Sequence, residues 1–274
     1  MSKTKPAGIF LSSINQCIEI PKYRTHTRLE HTLKGLLIHR VLEERDIELA
    51  IFKDHRYSFF DWLKWTCQLR QTQPGVTPTL VTIDWHRDLA PPSEDERMRL
   101  NDLNQQNLNE VREFTLNELD AHNDGHLLSA AWLNLIGDVI LLKNYGMDQK
   151  DSWMDGDGQA HLILEFKDFE AFSSEVLQRN DQHIYLDIDL DYFIHNKVSP
   201  YQRKDVQVYS DERIKSIINP KNQFFQHLLP RLEGITLARE PRYCGGVRNS
   251  NHILDVILNQ LFTKQLEWKT LAIN

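Results

Sequence analysis

Cysteine and long apolar runs are both scarce in this sequence. Its three cysteines, Cys17, Cys67 and Cys244, are far apart, and none belongs to a C-x-x-C pair. Such a set excludes a disulfide framework and indicates reduced thiols in a cytosol. The apolar stretch Ile9–Leu11 is too short for a signal-peptide core, and no window reaches the length that spans a bilayer. We therefore expect a cytoplasmic chain with no membrane partner.

An excess of positive charge is also missing. Lys and Arg number 32 against 39 Asp and Glu, which gives a formal net charge of −7. Because no basic surface is available, the chain is not expected to bind nucleic acid. Its hydrophobic share of 41% and its charged share of 26% are ordinary for a globular protein.

Short apolar segments alternate with segments of helical periodicity along the chain. The predicted strands are Ile47–Phe52, Thr79–Ile83, Ile184–Leu190 and Gly234–Ala238. The predicted helices are Tyr57–Leu69, Leu100–Leu119, Leu127–Leu142 and Asn249–Phe262, and the predicted loops are Met147–Gly158 and Asn196–Tyr209. This alternation predicts an α/β fold of three layers, α/β/α, with a mainly parallel sheet. We expect one domain over residues 1–274, with a core at about 45–262.

Two triplets of ionisable residues follow predicted strands. Asp84, His86 and Asp88 come directly after the strand that ends at Ile83. Side chains alternate with a period of two in extended chain, so these three point to one side. In a parallel sheet, ligands collect where the strands end. The triplet therefore predicts a cluster of metal-ligand types at that edge.

The second triplet is made of carboxylates alone. Asp187, Asp189 and Asp191 alternate with apolar residues at the end of another predicted strand. Adjacent buried carboxylates repel one another strongly unless cations neutralise them. Oxygen ligands with a few imidazoles favour Mg, Mn or Fe(II). Either triplet alone could be a solvated edge strand or a turn, but two triplets after apolar strands favour a metal site.

The order of these motifs resembles that of the arginase (ureohydrolase) superfamily. The matching segments are Asp54-His55, Asp84–Asp88, Asp187–Asp189 and Glu240, and the resemblance covers about residues 45–262. Within that superfamily, the chain looks most like peptide arginases of the OspR type, which convert arginine residues of ribosomally made precursor peptides to ornithine. The resemblance implies an arginase-like fold and two Mn²⁺ ions.

The resemblance also implies a set of metal ligands. His55 would bind one ion together with Asp88, and His86 would bind the other together with Asp189. The resemblance further implies that two carboxylates are shared by the two ions.

Asp84 and Asp187 would be those shared carboxylates. Asp88 would in addition hold and deprotonate the water between the ions. The resemblance leaves Asp191 with three possible roles: a ligand, a partner of a ligand, or a ligand in an alternative register.

Two further residues correspond to the family's substrate groups. Glu240 would bind the guanidinium group through two parallel N–H bonds, and His126 would pass a proton to the leaving amine. From the sequence alone, Glu240 could instead pair with Arg239 or Arg242, and His126 could be a solvated histidine.

Ala90 stands where free-arginine enzymes of the family have an Asn that reads the α-carboxylate. Absence of that Asn fits an arginine inside a peptide, so the expected partner is an arginine-containing precursor peptide. A homo-oligomer is a further expectation. Three alternatives stay open: hydrolysis of a small guanidine (arginine or an agmatine-like molecule), metal-dependent hydrolysis of a related amide, and a peptide-binding scaffold without catalysis.

Overall fold

The computed structural model describes residues 33–39, 46–119, 122–195, 206–261 and 266–270. Within these residues, nine strands form one sheet. They are β1 (Leu33–His39), β2 (Asp46–Phe52), β3 (Thr79–Ile83), β4 (Val139–Leu142), β5 (Gln149–Met154), β6 (Ala160–Phe166), β7 (Ile184–Asp189), β8 (Leu232–Ala238) and β9 (Leu266–Thr270).

The sheet is parallel in its centre and antiparallel at its edges. Its strand order is β5-β6-β4-β3-β7-β8-β2-β1-β9. Neighbours from β6 to β2 pair in parallel, whereas β5, β1 and β9 pair antiparallel. The parallel strands β3, β7, β8 and β2 are adjacent, so their carboxyl ends meet at one edge.

The described helices cover both faces of the sheet. They are α1 (Ser58–Thr72), α2 (Glu94–Asp102), α3 (Leu108–Asn117), α4 (His126–Trp132), α5 (Phe169–Gln178), α6 (Asp211–Ile217), α7 (Gln223–Leu228) and α8 (Val247–Leu261). Helices α1 to α4 contribute to one buried apolar cluster and α5 to α8 to a second. Consecutive strand residues alternate between the two: Ala50 belongs to the first cluster and Ile51 to the second. This alternation is what makes three layers.

The packing of α1 on the sheet depends on one glycine. A Cβ atom at Gly234 in β8 would lie 2.4 Å from the ring of Trp65. Only a residue without a side chain therefore lets the helix approach so closely. The indole Nε1 of Trp65 also donates a hydrogen bond to Glu48 (3.0 Å), which fixes α1 against β2.

The predicted fold class, α/β/α with a mainly parallel sheet, is confirmed, and so are the four predicted strands within two residues. The predicted helix Leu127–Leu142 is wrong in its second half, because Val139–Leu142 is the buried strand β4. The predicted loop Met147–Gly158 contains the exposed strand β5. Of the other predicted loop, residues 196–205 lie outside the described residues, as does Cys17.

The described residues can be checked for membrane-spanning helices and for disulfide bonds. No helix among them is both long and apolar enough to cross a bilayer. Cys67 and Cys244 are free thiols.

Candidate metal centre

The predicted site residues follow the carboxyl ends of four adjacent strands. His55 begins a short 3₁₀ turn after β2, and the Asp84–Asp88 segment follows β3. Asp189 is the last residue of β7, and Glu240 lies two residues beyond β8. Because the four strands are parallel neighbours, their side chains converge at this edge.

His55 lies at the centre of the cluster. Its Nδ1 atom is 3.0 Å from Asp88 Oδ2, 3.3 Å from Asp189 Oδ2 and 3.4 Å from Asp84 Oδ2. The imidazole is 1% exposed, so water does not separate these charges. One ring N–H can serve only one of three carboxylates, whereas a cation between them could bind all four groups.

His86 forms a second group with other carboxylates. Its Nδ1 atom is 2.9 Å from Asp191 Oδ2 and 4.0 Å from Asp84 Oδ1. Despite the short distance, Asp191 Oδ2 has no well-oriented hydrogen-bond donor among the described residues. The two atoms face one another as two ligands of one ion would. Asp84 contributes one oxygen to each group.

Several ligand sets at this edge fit a divalent cation. In each set, one nitrogen or oxygen atom per residue lies within 4.8 Å of the others. The sets are His55 with Asp84 and Asp189, His86 with Asp84 and Asp191, and His55 with Asp88 and His126. Carboxylates with a few imidazoles are typical ligands of Mn²⁺ and related ions.

The cluster has more negative charge than its imidazoles can balance. Among the described residues, no Lys or Arg forms an ion pair with Asp84, Asp88, Asp189 or Asp191. Burial and the neighbouring charge of Asp88 raise the pKa of Asp84 to about 8. Burial, followed by the charge of Asp191, raises the pKa of Asp189 well above its ordinary value. A bound cation would relieve both effects, because it favours the ionised carboxylates.

The expectation that Asp187 bridges two ions is not what the geometry favours. Asp187 Oδ2 is 2.8 Å from His55 Nε2 and accepts a hydrogen bond from Thr82 (2.7 Å), while Oδ1 accepts one from Thr236 (2.5 Å). Thr82 and Thr236 are the residues that pair with Asp187 in β3 and β8.

Asp187 therefore lies one step inside the sheet, on the far side of the His55 ring, and belongs to none of the candidate ligand sets. Likewise, the expected pairing of His86 with Asp189 differs from the observed contact, because Asp191 is the carboxylate beside His86. The geometry favours Asp189 and Asp191 as the ligands from this segment.

Glu240 is 3% exposed and is held at the edge of the cluster. Its Oε1 atom accepts hydrogen bonds from the backbone N–H of His55 (2.7 Å) and from the side-chain amide of Asn123. Burial, followed by the charge of Asp54, raises the pKa of Glu240 to about 8. Since Oε1 already takes two donors, Oε2 is the oxygen left for a ligand. The sequence alternatives, ion pairs with Arg239 or Arg242, are not observed among the described contacts.

His126 is fully buried at the start of α4, so it is not a solvated histidine. Its ring centre is 4.3 Å from that of His55 and 5.8 Å from that of Trp62. Burial, followed by the positive charge of His55, holds the pKa of His126 well below its ordinary value. Neither of its ring nitrogens has a hydrogen-bond partner among the described residues, and the ring is absent from the lining of the cavity described next.

Two cavities lie at and beside the cluster. The smaller, of about 110 Å³, is lined by His86, Asp88, His122, Asn123, Asp124, Asp189, Glu240 and Tyr243. The larger, of about 700 Å³, shares His122 and Asp124 with it. Ala90 and Pro91 line the larger cavity, and its charged lining is mainly acidic. A narrow cavity therefore lies at the cluster and a wider one next to it.

Sequence reasoning missed Asn123 and Tyr243. Asn123 has a φ of 68°, in the left-handed region where Asn is enriched, and its side chain contacts Glu240. The ring of Tyr243 meets that of His86 edge-on at 5.2 Å. The Asn-Asp-Gly turn before His126 was a signal for the first; nothing in the sequence marked the second.

Comparison with known proteins finds a likeness at the level of structure. No family model matches the sequence, and no curated protein matches it either. A solved arginase from Helicobacter pylori is similar in structure, with a TM-score of 0.43 and 14% identity, over 94% of this chain and 82% of that chain. Any functional conclusion therefore depends on the geometry of the site itself.

Proposed function

We propose that this chain is a metal-dependent hydrolase that cleaves the guanidinium group of arginine residues within a peptide, giving ornithine residues and urea. The observation that carries this proposal is the convergence of His55, Asp84, Asp88, Asp189, His86 and Asp191 at one buried edge, where no Lys or Arg of the described residues forms an ion pair with these carboxylates. Buried carboxylates in such numbers need cations to coexist.

Two Mn²⁺ ions fit the two groups of ligands. His55, Asp88 and Asp189 would hold one ion, His86 and Asp191 the other, and Asp84 would contribute to both. When bound, the ions would supply activation of water at neutral pH and stabilisation of developing negative charge.

Asp187 has a supporting role in this proposal. A metal-binding histidine commonly donates its second ring N–H to a carboxylate, which fixes its tautomer and orientation. Asp187 is placed to do this for His55, because its Oδ2 lies 2.8 Å from Nε2. The Thr82 and Thr236 hydroxyls hold that carboxylate in turn.

Glu240 and Asp88 would act on the substrate. Glu240 lines the small cavity and would orient the guanidinium group through Oε2, a charge-assisted contact. Asp88, on the same cavity, would take a proton from the attacking water and return it to the nitrogen whose bond to carbon breaks. The balance is one water consumed, one C–N bond broken, and an amine and urea released.

His122 is better placed than His126 for exchanging protons with solvent. It is exposed and lines both cavities, whereas His126 is buried behind His55. We therefore assign any proton relay to His122 and a packing role to His126.

The larger cavity supports a peptide as the substrate. It provides room beyond the guanidinium group, and Ala90 in its wall offers no polar side chain for a free α-carboxylate. Asp95, Glu96, Glu118 and Asp124 outnumber Arg99 in its lining, so a free carboxylate would be repelled. An arginine inside a peptide has its carboxyl group in an amide and avoids this cost.

The test is incubation of the Mn²⁺-loaded protein with three substrates of equal concentration. They are a peptide with an internal arginine, free arginine, and agmatine, which lacks the carboxylate. We expect urea and a mass loss of one cyanamide per converted arginine with the peptide. Hydrolysis of agmatine alone would redirect the proposal to small guanidines, hydrolysis of free arginine alone would refute the peptide assignment, and no urea from any substrate would refute the guanidine hydrolase.

A further inference from the structure

We infer that Arg87 is a positioning residue that holds the Asp84–Asp88 segment in the shape its metal ligands need. This inference rests on the metal centre proposed above. Arg87 stands between two of the proposed ligands, His86 and Asp88, yet its side chain takes no part in the cluster. The side chain instead forms an ion pair with Glu165 in β6.

The anchor is Glu165 in β6. Arg87 Nε donates to Glu165 Oε2 at 2.8 Å, and Arg87 Nη2 donates to Oε1 at 2.5 Å. Two parallel bonds of this kind fix the orientation of a guanidinium group as well as its position. Since β4 lies between β3 and β6 in the sheet, Arg87 spans the end of β4 to reach its partner.

The anchor is itself rigid. Glu165 is 0% exposed, and Lys143, 1% exposed, donates to its Oε2 at 2.6 Å. A fully buried carboxylate with a buried ammonium partner has little freedom to move. Lys143 also means that Glu165 keeps a cation if Arg87 is removed. Loss of Arg87 should therefore free the segment without leaving a bare charge in the core.

The segment needs such a restraint, because its backbone is strained. Asp88 has a φ of 46°, in the left-handed region that costs a non-glycine residue energy. The carboxylate of Asp88 nevertheless has to face His55, at 3.0 Å from Nδ1. Alternation along the segment sends His86 and Asp88 to the cluster and Arg87 to Glu165. The ion pair of Arg87 with Glu165 thus opposes movement of His86 and Asp88 away from the cluster.

The direction in which Mn²⁺ affinity changes when Arg87 is removed distinguishes positioning from electrostatic repulsion. Arg87 is a positive charge near a proposed cation site, so its charge alone would weaken metal binding, and removing it would tighten binding. Positioning predicts the opposite. We expect R87A to bind Mn²⁺ about ten- to a hundredfold more weakly than the wild type, the range typical for lost partners of metal ligands.

The experiment is calorimetric titration of the metal-free protein with Mn²⁺ for the wild type, R87A, R87K and R179A. R179A is the matched control, because Arg179 makes comparable ion pairs with Asp138 and Asp181 at the opposite edge of the sheet. R87K keeps the charge but not the two parallel bonds, so we expect affinity between those of R87A and the wild type. R179A should bind like the wild type. Near-ultraviolet circular dichroism before titration checks that each variant is folded.

Several results would overturn the inference. They are unchanged or tighter binding by R87A, or an equal loss of affinity in R179A, which would indicate general destabilisation. If R87A does not fold, R87K decides: wild-type affinity in R87K refutes positioning by the paired bonds. A wild type that binds no Mn²⁺ would refute the proposed metal centre itself, a distinct outcome.

Discussion

Acidic side chains at the ends of β3 and β7 have different partners from those where the parallel strands begin. Where the strands begin, acids have cationic partners: Arg179 pairs with Asp138 (2.6 Å) and Asp181 (2.5 Å), and His183 contacts Glu233. Where β3 and β7 end, the acids are more deeply buried, and their ion-pair partners among the described residues are two imidazoles.

Carboxylates without a Lys or Arg partner are therefore concentrated where β3 and β7 end. The chain as a whole has a net charge of −7, but the beginning of the sheet shows that its acids can be paired where pairing serves stability. Burial without pairing costs folding free energy, so it requires a compensating partner. The proposed partner at the strand ends is metal, and substitutions at one end of the strands at a time test this difference.

The largest effect is expected from Asp84→Asn, which keeps the shape of a shared ligand but removes its charge. Manganese should no longer bind, and hydrolysis should fall to background. The metal-free variant should be more stable than the metal-free wild type, because a buried repulsion with Asp88 is gone. Thermal unfolding with and without Mn²⁺ measures both: at a hundred times Kd, Mn²⁺ should stabilise the wild type by about 2.7 kcal/mol per site and the variant by nothing. Equal stabilisation of both proteins would contradict a role for Asp84.

The next largest effects are expected from substitution of two residues in β7, Asp189→Asn and Asp187→Asn. The first removes a proposed ligand and should lower the number of bound ions. The second removes only the partner of His55 Nε2, so the number should stay the same while affinity falls about ten- to a hundredfold. Metal content after dialysis gives the number, and titration gives the affinity. Loss of ions in Asp187→Asn would support the sequence-based expectation that Asp187 is a ligand, and full retention in Asp189→Asn would remove Asp189 from the ligand set.

A smaller effect is expected from Glu240→Gln. The amide can still accept the hydrogen bonds from His55 and Asn123, so metal binding should persist. Loss of a charged contact to the guanidinium group is worth about 1.5–3 kcal/mol, or roughly ten- to a hundredfold in kcat/KM. Steady-state release of urea from the arginine peptide measures it. Wild-type kcat/KM in this variant would remove Glu240 from substrate binding.

The smallest effect belongs to the other edge. Arg179→Ala leaves Asp138 and Asp181 without their shared cation, and these are partly exposed side chains. The expected cost is about 1 kcal/mol of unfolding free energy, with metal content and urea release unchanged. Urea-induced unfolding followed by fluorescence provides the measurement. A loss of metal here would show that the two edges are not independent.

Much of the fold could be predicted because buried parallel strands read as short, β-branched apolar runs. This holds for β3, whose five residues are all buried. The same signal failed at β4, because Val139–Leu142 continues the apolar run of α4, and periodicity alone does not separate a buried helix from a buried strand. The predicted helix Leu100–Leu119 is divided into α2 and α3 for a different reason: Asn107 accepts a hydrogen bond that begins a new helix.

The candidate site could be predicted as a meeting of residues but not as a set of roles. Period two places Asp187, Asp189 and Asp191 on one side of the chain, so the sequence cannot distinguish them. Their depth in the sheet does, because Thr82 and Thr236 enclose Asp187 alone. The contact between Asn123 and Glu240 was also beyond the sequence, since 117 residues separate the two.

We propose that the strand-end acids form a binding site for two divalent cations. Equilibrium dialysis of the metal-free chain against Mn²⁺, with bound metal counted by mass spectrometry, is the decisive measurement. We expect saturation at two ions per chain for the wild type and none for Asp84→Asn. A wild-type chain that retains no Mn²⁺, or as much as its Asp84→Asn variant, would contradict it.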